Sequence, residues 1–221
     1  MRKIEYISVL IILITIGISY RYYNILPDSI ISHWDMKGSP NGYMNKMVVL
    51  SAIPIISIVI FTMFAVLSRI KDSNGKLKFI IKDAQNYLDF FTVLFLSFML
   101  YVQIIIIVSN IGNKINIQLN LPVFIAIIFF YTGEILPKIK RNKLIGFRTP
   151  WTLKDDIVWE KTQLLGGKLF KIGGLFALIS IFQIKYIFYI TFLPITIFII
   201  YIYYYSYKEY KLKIEQEEKW K

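Results

Sequence analysis

The stretch Met47–Leu67 reads MVVLSAIPIISIVIFTMFAVL and contains no charged side chain. A helix needs about 20 mostly apolar residues to cross the hydrocarbon core of a bilayer, and this stretch is long enough. Short polar links separate it from further apolar stretches at Ile4–Tyr20, Leu88–Ser109, Leu121–Leu136, Leu169–Gln183 and Tyr186–Tyr205. Because these stretches are continuous rather than alternating, they predict helices and not barrel strands. The sequence therefore predicts an all-α, polytopic membrane protein with six transmembrane helices.

Lys and Arg are distributed unevenly among the polar links. Most of the 26 lie in the N-terminal segment, in the links after the second and fourth spans, and in the C-terminal tail. The remaining links contain only Arg21, Lys37, Lys46, Lys114 and Lys185. Since Lys and Arg are retained on the cytoplasmic side, both termini are predicted to be cytoplasmic. The links after the first, third and fifth spans are then extracellular.

The net charge of +12 has the same explanation. Basic residues at the inner surface meet anionic lipid headgroups, so the lipid bilayer is the expected partner and no direct nucleic-acid contact is predicted. The chain has no cysteine, which excludes disulfides and thiolate metal sites.

The predicted extracellular link, residues 21–46, has the features of a compact ordered loop. Pro27 ends the first helix, and Asn41-Gly42 is a dipeptide that favours a tight turn because both residues tolerate positive φ. The pattern is compatible with a small β-hairpin.

Asp28, His33, Trp34 and Asp35 are the candidate contact residues of this loop. His33 is the single histidine of the chain. A metal site usually needs three or four ligands, so one His beside two loop carboxylates favours packing at the membrane interface over metal binding.

The basic links contain two further predicted helices. Residues Leu77 to Tyr87 have the spacing of a short amphipathic helix on the inner surface. In the predicted cytoplasmic loop 137–168, Thr152 is expected to cap a helix whose first turn holds Asp155 and Asp156. Gly166-Gly167 is expected to end that helix and to hinge into the fifth span.

Two polar residues lie within predicted spans. Gln103 is in the middle of the third span, where an amide can hydrogen-bond between helices. Glu134 is near the inner end of the fourth span, four residues before Lys138, so an ordinary i,i+4 ion pair is expected there. These positions do not form an ion relay.

Two motifs resemble a known family. Ile145–Thr152 (IGFRTPWT), followed by Val158–Thr162 (VWEKT), resembles the signature of SdpI-type proteins. Upstream, a smaller set resembles the membrane domain of unknown function that opens many of them: Leu26-Pro27-Asp28, His33-Trp34, Gly38 and Lys46. The resemblance implies two regions. Residues 1–70 would form a two-helix membrane unit with the extracellular loop 21–46, and residues 71–221 an SdpI-like four-helix unit with the cytoplasmic loop 137–168.

The resemblance also implies a function. The chain is expected to be a multi-pass protein of the bacterial cell membrane that gives immunity to a secreted, membrane-active peptide toxin. It could also sense the toxin and recruit a cytoplasmic repressor. Asp28, His33, Trp34 and Asp35 are then toxin-contact candidates. The cytoplasmic motif consists of Arg148, Thr149, Pro150, Trp151, Thr152 and Trp159, and it either supports the fold or binds a partner.

The family pattern commonly has a His at the position of Gln163. A neutral amide donates and accepts hydrogen bonds but cannot gain a charge near neutral pH, so this departure bears on activity.

Other functions fit the sequence less well. A small-molecule or peptide transporter is the alternative, but the chain has no nucleotide-binding motif, no evident inverted repeat and no charge deep in a span. An enzyme is not expected, because neither Gly-x-Ser-x-Gly nor His-Glu-x-x-His occurs. No cofactor is predicted.

Overall fold

The computed structural model of the chain describes residues 3–35, 38–70, 85–112, 117–143 and 145–219. The elements in order are α1 (Lys3–Tyr23), β1 (Ser29–Trp34), β2 (Pro40–Asn45), α2 (Lys46–Leu67), α3 (Gln85–Asn110), α4 (Ile117–Ile135), α5 (Asp156–Ile179) and α6 (Ile187–Lys219). Within the described residues, six helices are long and apolar enough to cross a membrane. The predicted all-α fold with six transmembrane helices is confirmed.

Packing divides the chain into two compact units. One consists of Met1–Arg69 and Asn86–Phe124, and the other of Ile70–Gln85 and Ile125–Lys221. Helix α3 thus packs with the first unit. The division at residue 70 expected from the family resemblance concerns sequence regions and stays a prediction.

The core of the first unit joins the hairpin to its helices. Buried side chains of the segment after α1, of β1, of α2 and of α3 form one cluster: Leu26, Ile30, Val49, Leu50, Ile53, Ile106 and Ile107. Trp34 packs against the cluster from the side. Asn45 caps α2, its side chain accepting a hydrogen bond from the Met47 amide at 2.9 Å. The hairpin is therefore held on a buried apolar base.

The hairpin turns at a different place from the one predicted. The turn prediction for Asn41-Gly42 was wrong, because both residues lie within β2. The residue with positive φ is Gly38, at 78°. Gly42 is instead opposite His33, where the strand register is irregular. A Cβ atom at Gly42 would lie 2.8 Å from the His33 Cβ, so glycine here permits a close approach of the strands.

Helix α5 is continuous across the predicted break. Its N-cap is Asp155, not Thr152: the Asp155 carboxylate accepts the amides of Ile157 and Val158 at 2.9 and 3.0 Å. The predicted break at Gly166-Gly167 was also wrong, since both glycines are buried in the middle of the helix. The link between α4 and α5 is consequently shorter than residues 137–168. It is a 3₁₀ turn, Leu136–Lys138, followed by residues 139–155, named here the 139–155 loop.

Close packing of α4 against α5 explains Gly133 and Gly167. A Cβ at Gly167 would meet the Gly133 carbonyl oxygen of α4 at 2.6 Å, and a Cβ at Gly133 would meet the Gly167 carbonyl oxygen at 2.5 Å. The two backbones are therefore in direct contact, as small residues allow between membrane helices.

The remaining links of the second unit are short. Two 3₁₀ turns, Ser180–Phe182 and Ile184–Tyr186, join α5 to α6. Helix α6 continues well beyond the predicted end at Tyr205, to Lys219. The predicted surface helix between Leu77 and Tyr87 falls outside the described residues, except for its last three, which begin α3.

Candidate functional site

The base of the hairpin is held by Lys46. Its Nζ lies 3.1 Å from the Asp28 carboxylate and donates to the Leu26 carbonyl oxygen at 3.0 Å. It also lies 5.0 Å from the centroid of the Tyr23 ring. The Lys46 side chain is 15% exposed, whereas that of Asp28 is 93% exposed. Lys46 is thus a structural brace, and Asp28 is free to meet solvent on its other side.

The turn end of the hairpin carries the other three candidates. The Asp35 carboxylate accepts the Ser39 amide at 2.8 Å, which closes the turn. His33 is exposed and Trp34 is half-buried against the core. Asp28 lies at the opposite end of β1, roughly 20 Å away for an extended strand of this length. The four predicted residues therefore do not converge on one point.

These residues do not assemble a metal site. In the ranges that the structure describes, no three His, Cys, Asp or Glu side chains are grouped so that they could hold a metal ion.

Asn110, which the sequence analysis did not single out, closes one edge of the hairpin. Its Oδ1 accepts the Ile31 amide at 2.8 Å, and its Nδ2 donates to the Ile31 carbonyl oxygen at 3.2 Å. The Asn110 side chain thus makes the two backbone hydrogen bonds at Ile31 that a neighbouring strand would otherwise make. An Asn directly after an apolar stretch gives no sequence signal for such a role.

The 139–155 loop is folded around two threonines. The Thr152 hydroxyl donates to the Phe147 carbonyl oxygen at 2.8 Å and accepts the Thr149 amide at 2.9 Å. The Thr149 hydroxyl in turn accepts the Thr152 amide at 3.2 Å. Both side chains are buried. Thr152 is therefore engaged within the loop, which explains why it does not cap α5.

Arg148, Pro150 and Trp151 lie at the surface of this loop. The Arg148 guanidinium is exposed and donates to the Lys143 carbonyl oxygen at 2.7 Å. Trp151 packs edge-on against Tyr203 and Tyr207 of α6, with centroid distances of 5.0 and 5.2 Å. Pro150 is exposed. Trp151 thus anchors the loop on α6, and Arg148 retains donors that can meet a partner or lipid phosphates.

Trp159 and Gln163 fasten the loop to α5. Trp159 is 1% exposed and its indole N–H donates to the Ile139 carbonyl oxygen at 2.7 Å. The Gln163 side chain accepts the Phe147 amide and donates to the Phe147 carbonyl oxygen, both at 3.1 Å. Gly146 beside it has φ of 103° and no room for a Cβ, which would lie 2.9 Å from Gln163 Oε1. The amide therefore serves the loop as a two-point clamp.

Ion pairs connect the start of α5 with its surroundings. Asp155 pairs with Lys213 of α6, and Arg141 lies 2.7 Å from Asp156. Burial alone would raise the pKa of the Asp155 carboxyl. The Lys213 ammonium and the capped backbone amides outweigh it, so the pKa is lowered from its ordinary value. Asp155 is thus an ionised cap that joins two helices.

The two predicted intramembrane polar residues have partners. Gln103 is fully buried and donates to Ser19 Oγ of α1 at 2.9 Å, a contact between helices. Glu134 lies 2.7 Å from Lys138 and 2.7 Å from Lys171 of α5. The expected i,i+4 pair is present, and the second lysine extends it to a neighbouring helix.

An ion pair between a buried carboxylate and a partly exposed arginine in the first unit was missed by the sequence analysis. Glu5 of α1 is 3% exposed and lies 2.7 Å from the Arg69 guanidinium. The sequence feature that could have indicated it is Glu5 itself, an acidic residue in the first turn of an apolar helix.

Six helices in the described part of the chain are long and apolar enough to cross a membrane, and they define the class: a multi-pass membrane protein. The model of the SdpI/YfhL protein family matches residues 138–206, and the model of a domain of unknown function (DUF1648) matches residues 10–58. These matches confirm the predicted resemblance to SdpI-type proteins and, together with the six apolar helices, the predicted location in the bacterial cell membrane.

One curated relative extends the match over most of the chain. The protein called Immunity protein SdpI of Bacillus subtilis (strain 168) is 28% identical over 186 residues, which are 84% of this chain and 85% of the relative. No solved structure matches.

Proposed function

We propose that this chain is an immunity protein that protects the bacterial cell from a secreted, membrane-active peptide toxin. The observation that carries the proposal is the 28% identity to Immunity protein SdpI over 84% of this chain. The two family models that match this chain, at residues 10–58 and 138–206, support it. The proposed mode of action is binding, without catalysis. In the first unit the hairpin presents exposed side chains, and in the second unit the 139–155 loop is a rigid support.

Expression in a sensitive bacterium tests the function. Cells that produce the chain are expected to survive higher concentrations of the peptides secreted by the strain that carries this gene. The secreted peptides of Bacillus subtilis (strain 168) serve as the second probe. Unchanged killing by both would refute the proposal. Proteoliposomes that transport the peptide would favour the export alternative instead.

The proposed orientation places the hairpin outside and the 139–155 loop in the cytoplasm. It follows from the distribution of Lys and Arg. Because the chain has no native cysteine, Asn41→Cys and Lys140→Cys each introduce one thiol at an exposed position. An impermeant maleimide is expected to label only Asn41→Cys in intact cells. Labelling of both sites from one side would refute the orientation.

Recruitment of a cytoplasmic repressor is the finer part of the proposal. The second unit has a groove of about 610 Å³ between the start of α5 and the end of α6, with Ile157 and Leu212 in its wall. Both side chains are exposed, at 54% and 41%. A photo-cross-linker in place of Leu212 is expected to capture a DNA-binding protein only in toxin-treated cells. Identical cross-linked products with and without toxin would contradict recruitment while leaving immunity intact.

A further inference from the structure

The two edges of the hairpin differ in a way that bears on recognition. In a two-stranded sheet both strands are edges, and each presents unpaired N–H and C=O groups. The outer edge of β1 is closed at Ile31, whose amide and carbonyl are both bound by the Asn110 side chain at 2.8 and 3.2 Å. The centre of the β1 edge is therefore blocked, and the β2 edge is the side on which an added strand would meet no such side chain.

The register identifies the free groups of β2. Lys46 N–H donates to the Asp28 carbonyl oxygen at 2.9 Å, and hydrogen-bonded pairs alternate along an antiparallel ladder. Ile31 is opposite Tyr43 in a pair that is not hydrogen-bonded across the ladder. The Tyr43 amide and carbonyl thus point away from β1, just as those of Ile31 point toward Asn110. No residue in the described part of the chain is hydrogen-bonded to them on that side.

The side chains at this edge are exposed and mostly apolar. Tyr43 is 61% exposed and Met44 is 44% exposed. Pro40 and the irregular register at Gly42 make the first half of β2 unsuitable for pairing, so the available edge is short and centred on Tyr43.

We propose that the free edge of β2 binds an extended segment of the peptide toxin, which adds to the hairpin as a third strand. This inference rests on the proposed immunity function and names its mode of recognition. An extended backbone supplies the acceptor and the donor that the Tyr43 amide and carbonyl require. Because Tyr43 and Met44 present exposed apolar surface beside the free edge, the bound segment carries apolar side chains, as a membrane-active peptide does.

Tyr43→Pro tests the edge directly. Proline removes the outward N–H of Tyr43 but no hydrogen bond to β1, and proline is tolerated at sheet edges. Tyr43→Ala is the matched control, which loses the ring and keeps the amide. The probe is the mixture of peptides secreted by the parent strain, and the measured quantity is the highest peptide concentration that the cells survive. Tyr43→Pro is expected to lower this concentration about tenfold more than Tyr43→Ala does. Both variants are compared at equal membrane abundance.

A second measurement does not depend on the fold of the proline variant. A photo-cross-linking phenylalanine is placed at Tyr43, and in a control at Tyr20 of α1, which is 82% exposed. The first protein is expected to capture the secreted peptide, and the control is not.

The outcomes separate the two proposals. Failure of the unaltered chain to protect would refute the immunity function. Protection by the unaltered chain together with equal protection by Tyr43→Pro would overturn strand addition alone. Cross-linking of position 43 only to a second copy of the chain would also overturn it, because the edge would then be a contact between copies.

Discussion

The hairpin and the 139–155 loop use their polar residues in opposite ways. In the loop region Thr149, Thr152 and Gln163 are buried, and each makes hydrogen bonds that fix the backbone. In the hairpin, by contrast, Asp28 and His33 are exposed. The contrast indicates that most of the Arg-Thr-Pro-Trp-Thr motif maintains shape, whereas the hairpin keeps groups available for another molecule.

Trp159→Ala is expected to have the largest effect on stability. The side chain is 1% exposed, and its loss also removes the donor to the Ile139 carbonyl oxygen. We expect the free energy of unfolding to fall by about 3–5 kcal/mol, measured by denaturant titration in detergent micelles. His33→Ala is the control from the hairpin, with an expected change of about 0.5 kcal/mol or less.

Protection assays sharpen this comparison. At matched abundance, Trp159→Ala should retain protection per molecule, and His33→Ala should reduce it. A Trp159→Ala protein that stays abundant and stable but no longer protects would show that the loop region acts in function directly.

Gly167→Ala is expected to be the next most damaging change. The new Cβ would lie 2.6 Å from a backbone oxygen of α4, which cannot move aside without displacing the helix. We expect a loss of about 1–3 kcal/mol in the same unfolding experiment. Gly17→Ala is the matched control, because its Cβ would meet nothing within 4 Å. It should gain roughly 0.5–1 kcal/mol from helix propensity. Equal effects at the two positions would contradict close packing of α4 and α5.

The same glycines show how far sequence reasoning extends. Hydropathy identified all six spans because the length and apolar composition of a membrane helix are local properties of the sequence. Gly166-Gly167 was interpreted as a helix end because the contacts that need these glycines are distant in sequence: the Phe147 ring beside Gly166 and the Gly133 backbone of α4 beside Gly167. The turn predicted at Asn41-Gly42 was wrong for a similar reason. Gly42 is needed because it lies against the His33 side chain on the opposite strand, where a Cβ would not fit. Thr152 was predicted as the cap of α5, but its hydroxyl is engaged by contacts inside the loop that the sequence pattern does not reveal, and the cap is Asp155.

Gln163→His tests the two-point clamp on Phe147. An imidazole has its two nitrogens on different sides of the ring, so it can satisfy the Phe147 amide or carbonyl but not both. We expect the free energy of unfolding to fall by about 1 kcal/mol. Gln163→Leu leaves the Phe147 amide unpaired and the Phe147 carbonyl with the Thr152 hydroxyl alone, so it should lower the free energy of unfolding by about 2–3 kcal/mol. If the His variant were as stable as the unaltered chain, the clamp would not require an amide. Protection by the His variant at equal abundance would then show directly whether a titratable group at this position adds function.

The smallest expected change in the free energy of unfolding is at Asp155, and this change should depend on pH. The pKa of this carboxyl is lowered in the folded chain, since the ion pair with Lys213 and the capped amides outweigh its burial. Its ionised form therefore stabilises the fold above the ordinary pKa of 3.8, and that stability is lost as the pH falls through the lower, folded value.

Asp155→Asn keeps the cap but removes the charge, so it should lower the free energy of unfolding by about 0.5–1 kcal/mol near pH 7. In unfolding measurements the difference from the unaltered chain should shrink progressively as the pH falls below 3.8. Asp156→Asn, whose carboxylate is 71% exposed beside Arg141, is the matched control and should change little at either pH. A constant difference at Asp155 across the pH range would mean that the carboxylate acts as a cap alone and does not join α5 to α6.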